Sequence, residues 1–405
     1  MKKPELILPA GSLDKLKIGY QYGGDVCYVG VPSFSLRARE NQFNDEFLAE
    51  AIKVARDEGK KIYVTTNIYP HNAKIKAFEE HVKKLAKLKP DALICADPGV
   101  ISIVKEHYPD AKIHLSVQAN AMNYRSVKFW KDLGISRVIL PRELTIDEIK
   151  EIREQVPDIE LECFVHGAIC VAYSGRCLMS AYMLSRDSNQ GACAHSCRWK
   201  YKILEEAERP GEYMPVYEDE QGTYLFNSKD LCALPYLKEL MDAGVCGFKV
   251  EGRSKTVHYL ATIAKVYRKA IDDMCDGKPF NKGLMDLVNK TANRSFIPGY
   301  LKKPFGEDSI YYPNNSPQQS YQFIGVVREH GGLNRDDLYG VELKNRIEKG
   351  NKLEIMTPDS EFTEEVTEIC DLEGETLNEA HGGTHNVYLK LKEKFPSGAI
   401  IRKKL

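Results

Sequence analysis

No run of apolar residues in this 405-residue chain comes near the length of about 20 that spans a bilayer, which argues against a transmembrane helix. Its first residues, Met1-Lys2-Lys3-Pro4-Glu5-Leu6-Ile7-Leu8, lack the long apolar stretch of a secretory signal, so a cytoplasmic setting with no membrane partner is expected. Net charge is nearly missing too: 57 lysines and arginines against 58 acids leave −1, and no global field points to a nucleic acid. RNA contact would have to come from a local patch. The best is Arg198-Trp199-Lys200-Tyr201-Lys202, where cations alternate with rings that can stack on bases. Also absent are His-Glu-x-x-His and Gly-x-Ser-x-Gly, and with them the signatures of zinc proteases and α/β-hydrolases. The segment Leu8-Pro9-Ala10-Gly11-Ser12 has a single glycine, too few for a dinucleotide loop.

What is present is periodic. Eight short apolar, β-branched runs recur: Glu5 to Leu8, Val26 to Val29, Lys61 to Thr66, Ala92 to Cys95, Lys112 to Val117, Arg137 to Leu140, Leu161 to Val165 and Gly247 to Val250. Amphipathic helices fit between them at Asp45 to Asp57, Lys74 to Leu88, Ser126 to Leu133 and Thr145 to Gln155, and another fits at Lys255 to Asp276. Eight βα repeats predict an α/β fold, a (β/α)8 barrel over residues 1–300. The spacing breaks once, by roughly 80 residues after the seventh strand, so a cysteine-rich insertion at about 167–245 is expected over the catalytic mouth. A Pro, Gly and Asn-rich linker at 301–317 leads to alternating strands in 318–405, the pattern of a small antiparallel β-barrel domain. Acids outnumber bases there by 16 to 12, so that domain is not an obvious RNA-binding module. Its His381-Gly382-Gly383-Thr384-His385 reads as a solvated turn.

Five of the eleven cysteines fall within residues 163–197, and a sixth follows at Cys232. In a reducing compartment such a group binds metal or does chemistry more readily than it forms disulfides. The spacing Cys170-x6-Cys177-x15-Cys193-x3-Cys197 contains one short pair where structural zinc sites usually have two. Iron–sulfur clusters accept more dispersed thiolates. From spacing alone an iron–sulfur cluster, zinc, and redox or structural thiols all stay open. Cys27, Cys95, Cys163 and Cys246 sit in apolar strands and read as packing.

The run from Glu162 to Ser180, with His166-Gly167, Cys170, Tyr173-Ser174-Gly175-Arg176-Cys177, closely resembles the signature of the U32 family, long labelled collagenase-like peptidases. Asn189-Gln190-Gly191-Ala192-Cys193, Asn227-Ser228-Lys229-Asp230-Leu231-Cys232 and Phe248-Lys249-Val250-Glu251-Gly252-Arg253 carry the same resemblance, which spans essentially the whole chain. It implies a 4Fe–4S cluster held by Cys170, Cys177, Cys193 and Cys232, with Cys197 as the alternative fourth ligand. A two-domain chain of this length is most like the members that hydroxylate tRNA. The implied reaction is prephenate-dependent, oxygen-independent hydroxylation of the wobble uridine to 5-hydroxyuridine, with tRNA as partner. A protein partner or a homo-oligomer is compatible with it. The rival readings are a collagenase-like peptidase, a hydroxylation protein for another RNA or a quinone precursor, and a non-catalytic cluster-bearing RNA-binding subunit.

Prephenate is a dicarboxylate, and guanidinium forks suit it. Arg37, Arg39, Arg142, Arg176 and Arg253 lie near strand C-terminal ends and are its candidate ligands. His166, Glu143 and Glu251 are the candidate catalytic groups at the same ends. Asn67, Gln118 and Asn120 share that rim; the last two have side chains fit for a pyrimidine edge, while Glu5 fits the opposite, stabilising face equally well.

Overall fold

A computed structural model describes residues 3–36, 42–170, 177, 179–184, 186, 188, 192–194, 196, 217–219, 222–224, 228–302, 318–383 and 386–405. The barrel part runs β1 (Glu5–Pro9), α1 (Leu13–Gln21), β2 (Val26–Gly30), α2 (Asp45–Asp57), β3 (Lys61–Thr66), α3 (Ile75–Leu88), β4 (Ala92–Cys95) and α4 (Pro98–His107). It continues through β5 (Ile113–Leu115), α5 (Tyr124–Asp132), β6 (Arg137–Ile139), α6 (Ile146–Gln155) and β7 (Glu160–Ala168). The insertion contributes α7 (Met179–Leu184), a hairpin of β8 (Tyr217–Asp219) and β9 (Gly222–Tyr224), β10 (Asp230–Cys232) and α8 (Leu237–Asp242). Then come β11 (Val245–Val250), α9 (Val257–Cys275), α10 (Gly283–Asn289) and β12 (Phe296–Ile297).

Strands β1 to β7 pair in order and in parallel, and β11 closes the ring by pairing in parallel with both β7 and β1. All eight expected barrel strands are present. Their βα loops end in side-chain caps that start the next helix: Ser12, Asn44, Asp97, Asn123, Thr145 and Thr256 each accept a backbone N–H of the first turn. The fifth strand stops at Leu115, short of the expected Val117, because Ser116 caps a tight turn instead. The seventh runs past the expected Val165 to Ala168, because β10 returns antiparallel along its end. Gly167 makes that overrun feasible: its φ is +109°, and a Cβ there would lie 2.4 Å from the carbonyl oxygen of Glu251.

The C-terminal domain is antiparallel, as expected, and its curled sheet makes a half-barrel. Its strands are β13 (Tyr321–His330), β14 (Leu338–Leu343), β15 (Ile347–Glu348), β16 (Lys352–Met356), β17 (Glu361–Glu365) and β18 (Ile369–Cys370). Then follow β19 (Thr376–Leu377), β20 (Glu379–Ala380), β21 (Asn386–Lys390) and β22 (Ile400–Lys404). The eight-stranded sheet has the order β17-β16-β22-β13-β14-β21-β18-β19, and its two edges do not pair among the described residues. The stretch Glu364 to Ile369 is shared between two strands: β17 stays in register with β16 as far as Val366, and β18 pairs with β21 and β19. β22, at the C-terminal end of the sequence, sits near the centre of the sheet. Its Arg402 is fully buried and answered by Glu354 at 2.8 Å and Glu361 at 3.0 Å.

Helices α1 and α9 carry this domain. The Tyr22 hydroxyl, just past α1, donates to the carbonyls of Met356 (2.7 Å) and Gly398 (3.1 Å). Arg328 grips Asp14 in the first turn of the same helix at 2.7 Å. Phe323, Val326, Met356 and Ile400 join the core packed around the barrel's helices.

Candidate functional site

The inside of the barrel is unusual in carrying a ladder of charge. At the N-terminal ends of the strands Arg137 pairs with Glu5 (2.9 Å), Glu160 (2.6 Å) and Glu162 (3.3 Å), and Lys61 reaches Glu5 at 2.5 Å. Glu5 therefore belongs to the stabilising face, away from the mouth. Burial opposes its charge, yet Arg137 and Lys61 outweigh that and hold its carboxyl below the usual range. Glu162 is fully buried halfway up and gives its other oxygen to Lys249 at 2.9 Å. Lys249, the penultimate residue of β11, stands 4.4 Å from the ring centre of Tyr28 and 5.5 Å from that of Phe164. Burial pulls its ammonium pKa down, and Glu162 restores only part of the loss.

The rim lies just above. The Arg253 guanidinium donates to Ser35 (2.9 Å) and Thr65 (3.3 Å) and lies 5.2 Å from the Tyr28 ring. Arg142 stacks at 3.8 Å on Phe164 and makes no ion pair or hydrogen bond among the described residues. Glu251 accepts from the Tyr28 hydroxyl at 3.3 Å. Of the expected rim residues, the structure thus brings Arg142, Arg253 and Glu251 to the mouth around two rings. Glu143 follows Arg142 on the β6–α6 loop and is half-buried. Arg37, Arg39 and Arg176 lie outside the described residues, as do Cys197, His385 and the Arg198 to Lys202 patch.

Asn67 is structural: its amide donates to Ser116 (3.2 Å) and its oxygen accepts from the Leu36 amide (3.3 Å). Gln118 is different, because its buried side-chain amide has neither its NH2 nor its oxygen paired. Asn120 takes a left-handed backbone, the loop-forming role common for asparagine.

His166 does not face the mouth. The β7 strand is irregular between Phe164 and His166, and the imidazole turns outward under α9, where Nδ1 lies 3.2 Å from the Tyr267 hydroxyl among the rings of Tyr259, Tyr267 and Phe296. Burial lowers its pKa to about 3, so it is neutral at physiological pH. Its surroundings are those of a packed core histidine.

Four soft thiols suit a 4Fe–4S cluster chemically. Their placement does not. Among the described residues no three Cys, His, Asp or Glu side chains gather to hold a metal ion. Cys170 is exposed and Cys177 and Cys193 are half-buried on the insertion, whereas Cys232 is buried in the layer under α9. Its thiol faces Tyr267 (3.8 Å) and Met285 (3.9 Å), and burial pushes its pKa up to about 11.

Two functional candidates, Lys249 and Glu162, were passed over in the sequence because each sits inside an apolar run and reads as part of a strand. Their charge was the available signal, since lysine and glutamate are almost never fully buried unless paired.

A polar lumen that ends in cations and aromatic rings at the C-terminal strand ends defines a (β/α)8-barrel enzyme. The family described as Peptidase family U32 matches residues 11–310, its C-terminal domain matches residues 319–402, and this chain belongs to that family. It is 43% identical to tRNA hydroxylation protein P of Escherichia coli (strain K12), over 97% of this chain and 95% of that protein. It is 36% identical to tRNA hydroxylation protein P1 of Bacillus subtilis (strain 168), over 99% and 95%. A protein named collagenase from Porphyromonas gingivalis (strain ATCC BAA-308 / W83) is 27% identical over 98% and 97%.

Proposed function

We propose that this chain is a tRNA hydroxylase that oxidises the wobble uridine to 5-hydroxyuridine without molecular oxygen, with prephenate as co-substrate. The observation that carries the reading is the similarity to tRNA hydroxylation proteins, which runs through both domains and not through the barrel alone. The mouth is consistent with it. Arg142, whose guanidinium has no ion pair among the described residues, suits one carboxylate, and Arg253, past the end of β11 two strands round the ring, suits another. The Gln118 amide, with donor and acceptor both unanswered, suits the alternating edge of uracil. Peptidase chemistry finds less support: His166 is buried and neutral beneath a helix, and its hydrogen-bond partner among the described residues is the Tyr267 hydroxyl.

Mass spectrometry of tRNA nucleosides from a strain lacking the gene tests the function. Loss of 5-hydroxyuridine and its derivatives is expected, with recovery on complementation. Unchanged levels in a strain with no second hydroxylation route would overturn the reading.

The 4Fe–4S cluster on Cys170, Cys177, Cys193 and Cys232 belongs to the proposal through thiol chemistry and family resemblance. When bound, such a cluster supplies electron transfer or Lewis acidity; as placed, the four thiols assign it no step. Iron and sulfide analysis after anaerobic purification is expected to give about four of each per chain for a cubane, and far less for Cys232→Ser. Iron-free protein from an iron-replete, anaerobic preparation would remove the cluster from the reading.

A further inference from the structure

Lys249 is the one buried amine at the upper end of the barrel lumen among the described residues, and nothing in the proposed hydroxylation uses it. Its surroundings differ from those of a plain ion-pair lysine in three respects. It lies on the side of the lumen nearest the mouth, one residue from the end of β11. Two aromatic rings flank it, which keeps water away from the nitrogen. Its carboxylate partner, Glu162, is already shared with Arg137 at 3.3 Å, so the negative charge it offers Lys249 is divided. These are conditions that make it easier for an amine to give up a proton and become a nucleophile. The depressed ammonium pKa points the same way.

What the amine would take follows from its neighbours. Arg142 is stacked on Phe164, the same ring that Lys249 approaches, and its guanidinium has no carboxylate among the described residues. A carbonyl at Lys249 beside a carboxylate at Arg142 describes a 2-oxo acid. We propose that Lys249 is an imine-forming lysine, whose amine condenses with the ketone of a 2-oxo acid held through its carboxylate by Arg142.

The step balances without an oxidant. Lys249 passes a proton to Glu162 and its lone pair adds to the carbonyl carbon, forming the C–N bond. Glu162 returns the proton to the carbinolamine oxygen, and the C–O bond breaks. The oxygen leaves as water with two of the three ammonium protons, and a protonated imine remains. Such an imine draws electrons from the carbon next to the former ketone, and it would activate a 2-oxo co-substrate toward loss or transfer of a group. The lysine assignment rests on the co-substrate part of the proposed function, since prephenate carries a 2-oxo acid, and it adds a covalent intermediate to that reading.

The test uses the full chain, purified anaerobically, with pyruvate as the probe and sodium cyanoborohydride as the trap. Intact mass followed by peptide mapping is expected to show one reduced adduct at Lys249. Lys249→Arg is expected to abolish it, and Arg142→Ala to demand at least tenfold more pyruvate for the same yield while its circular dichroism and urea midpoint stay those of the wild type. No adduct on the wild-type chain, or adducts spread over surface lysines, overturns the assignment. An adduct at Lys249 in a chain whose loss leaves tRNA unchanged would sink the tRNA reading and keep the lysine. Hydroxylated tRNA with no adduct would do the reverse.

Discussion

Replacing Glu162 with alanine is expected to cost about 3–5 kcal/mol of folding free energy, enough to leave much of the chain unfolded at 37 °C. The carboxylate is fully buried and is the shared partner of Arg137 and Lys249. Without it, Lys249 has no acid partner in contact, while Arg137 keeps Glu5 and Glu160. The loss is therefore dominated by one uncompensated buried ammonium. That makes a second variant informative: Glu162→Gln with Lys249→Met removes both charges and is expected to recover most of the loss, because two neutral side chains of similar size no longer need each other. Glu160→Gln is the control. Its carboxylate is half exposed, so the change should stay below about 1 kcal/mol. Urea midpoints at neutral pH measure all three. A Glu162→Ala midpoint close to that of Glu160→Gln would show that the charge ladder is not under the strain described.

Acid should unfold the protein earlier than its carboxylates alone would. His166 and His258 are buried with pKa values lowered to about 3, and His81 with one lowered to about 4, in each case mainly by burial. A free histidine takes its proton near 6.5, so below that pH the unfolded chain binds protons that the folded chain refuses. Stability from these groups is complete above about pH 6.5 and drains away as pH falls toward 3. At about pH 4.5 each of the two deepest histidines removes roughly 2–3 kcal/mol. Glu354, held near 2 against the cost of burial by Lys290, Tyr321 and Arg402, keeps its stabilising contribution down to about pH 4.5 and loses it only below that. His258 stacks on Phe323 at 5.7 Å with its Nε2 unpaired, so phenylalanine can keep the stack and lose the titration. The His258→Phe variant is expected to lose less stability between pH 6.5 and 4.5 than the wild type. Parallel acid profiles for the two would reject the assignment.

The barrel was legible because βα periodicity is a property of local sequence. Each strand is a short apolar run, most of the barrel's helices open on a capping residue, and the closing strand is the eighth such run in order. The sites of error were those where a residue far away decides the outcome. Arg402 looks like a surface cation between Ile401 and Lys403, yet Glu354 and Glu361 make a buried place for it. His166 sits where alternation would aim it into the lumen, but an irregularity in β7 turns it out under α9. Charge hidden inside an apolar run was the least visible feature, because Glu162 and Lys249 answer each other across 87 residues of sequence. The cysteines show the converse: their crowding is plain in the sequence, yet among the described residues no three metal-ligating side chains gather.

Helix α1 deserves a mechanical reading. One end is held to the C-terminal sheet through Asp14 and Arg328, the other through Gln21 and Tyr22, and α9 adds a second seam through Lys265 and Thr357. The small sheet is thus held along the length of α1 and along the first half of α9. A tether at one point would let it swing as a separate arm. Fixed at several points along α1, and at α9 beside it, the sheet cannot turn as a hinged arm without carrying those helices with it.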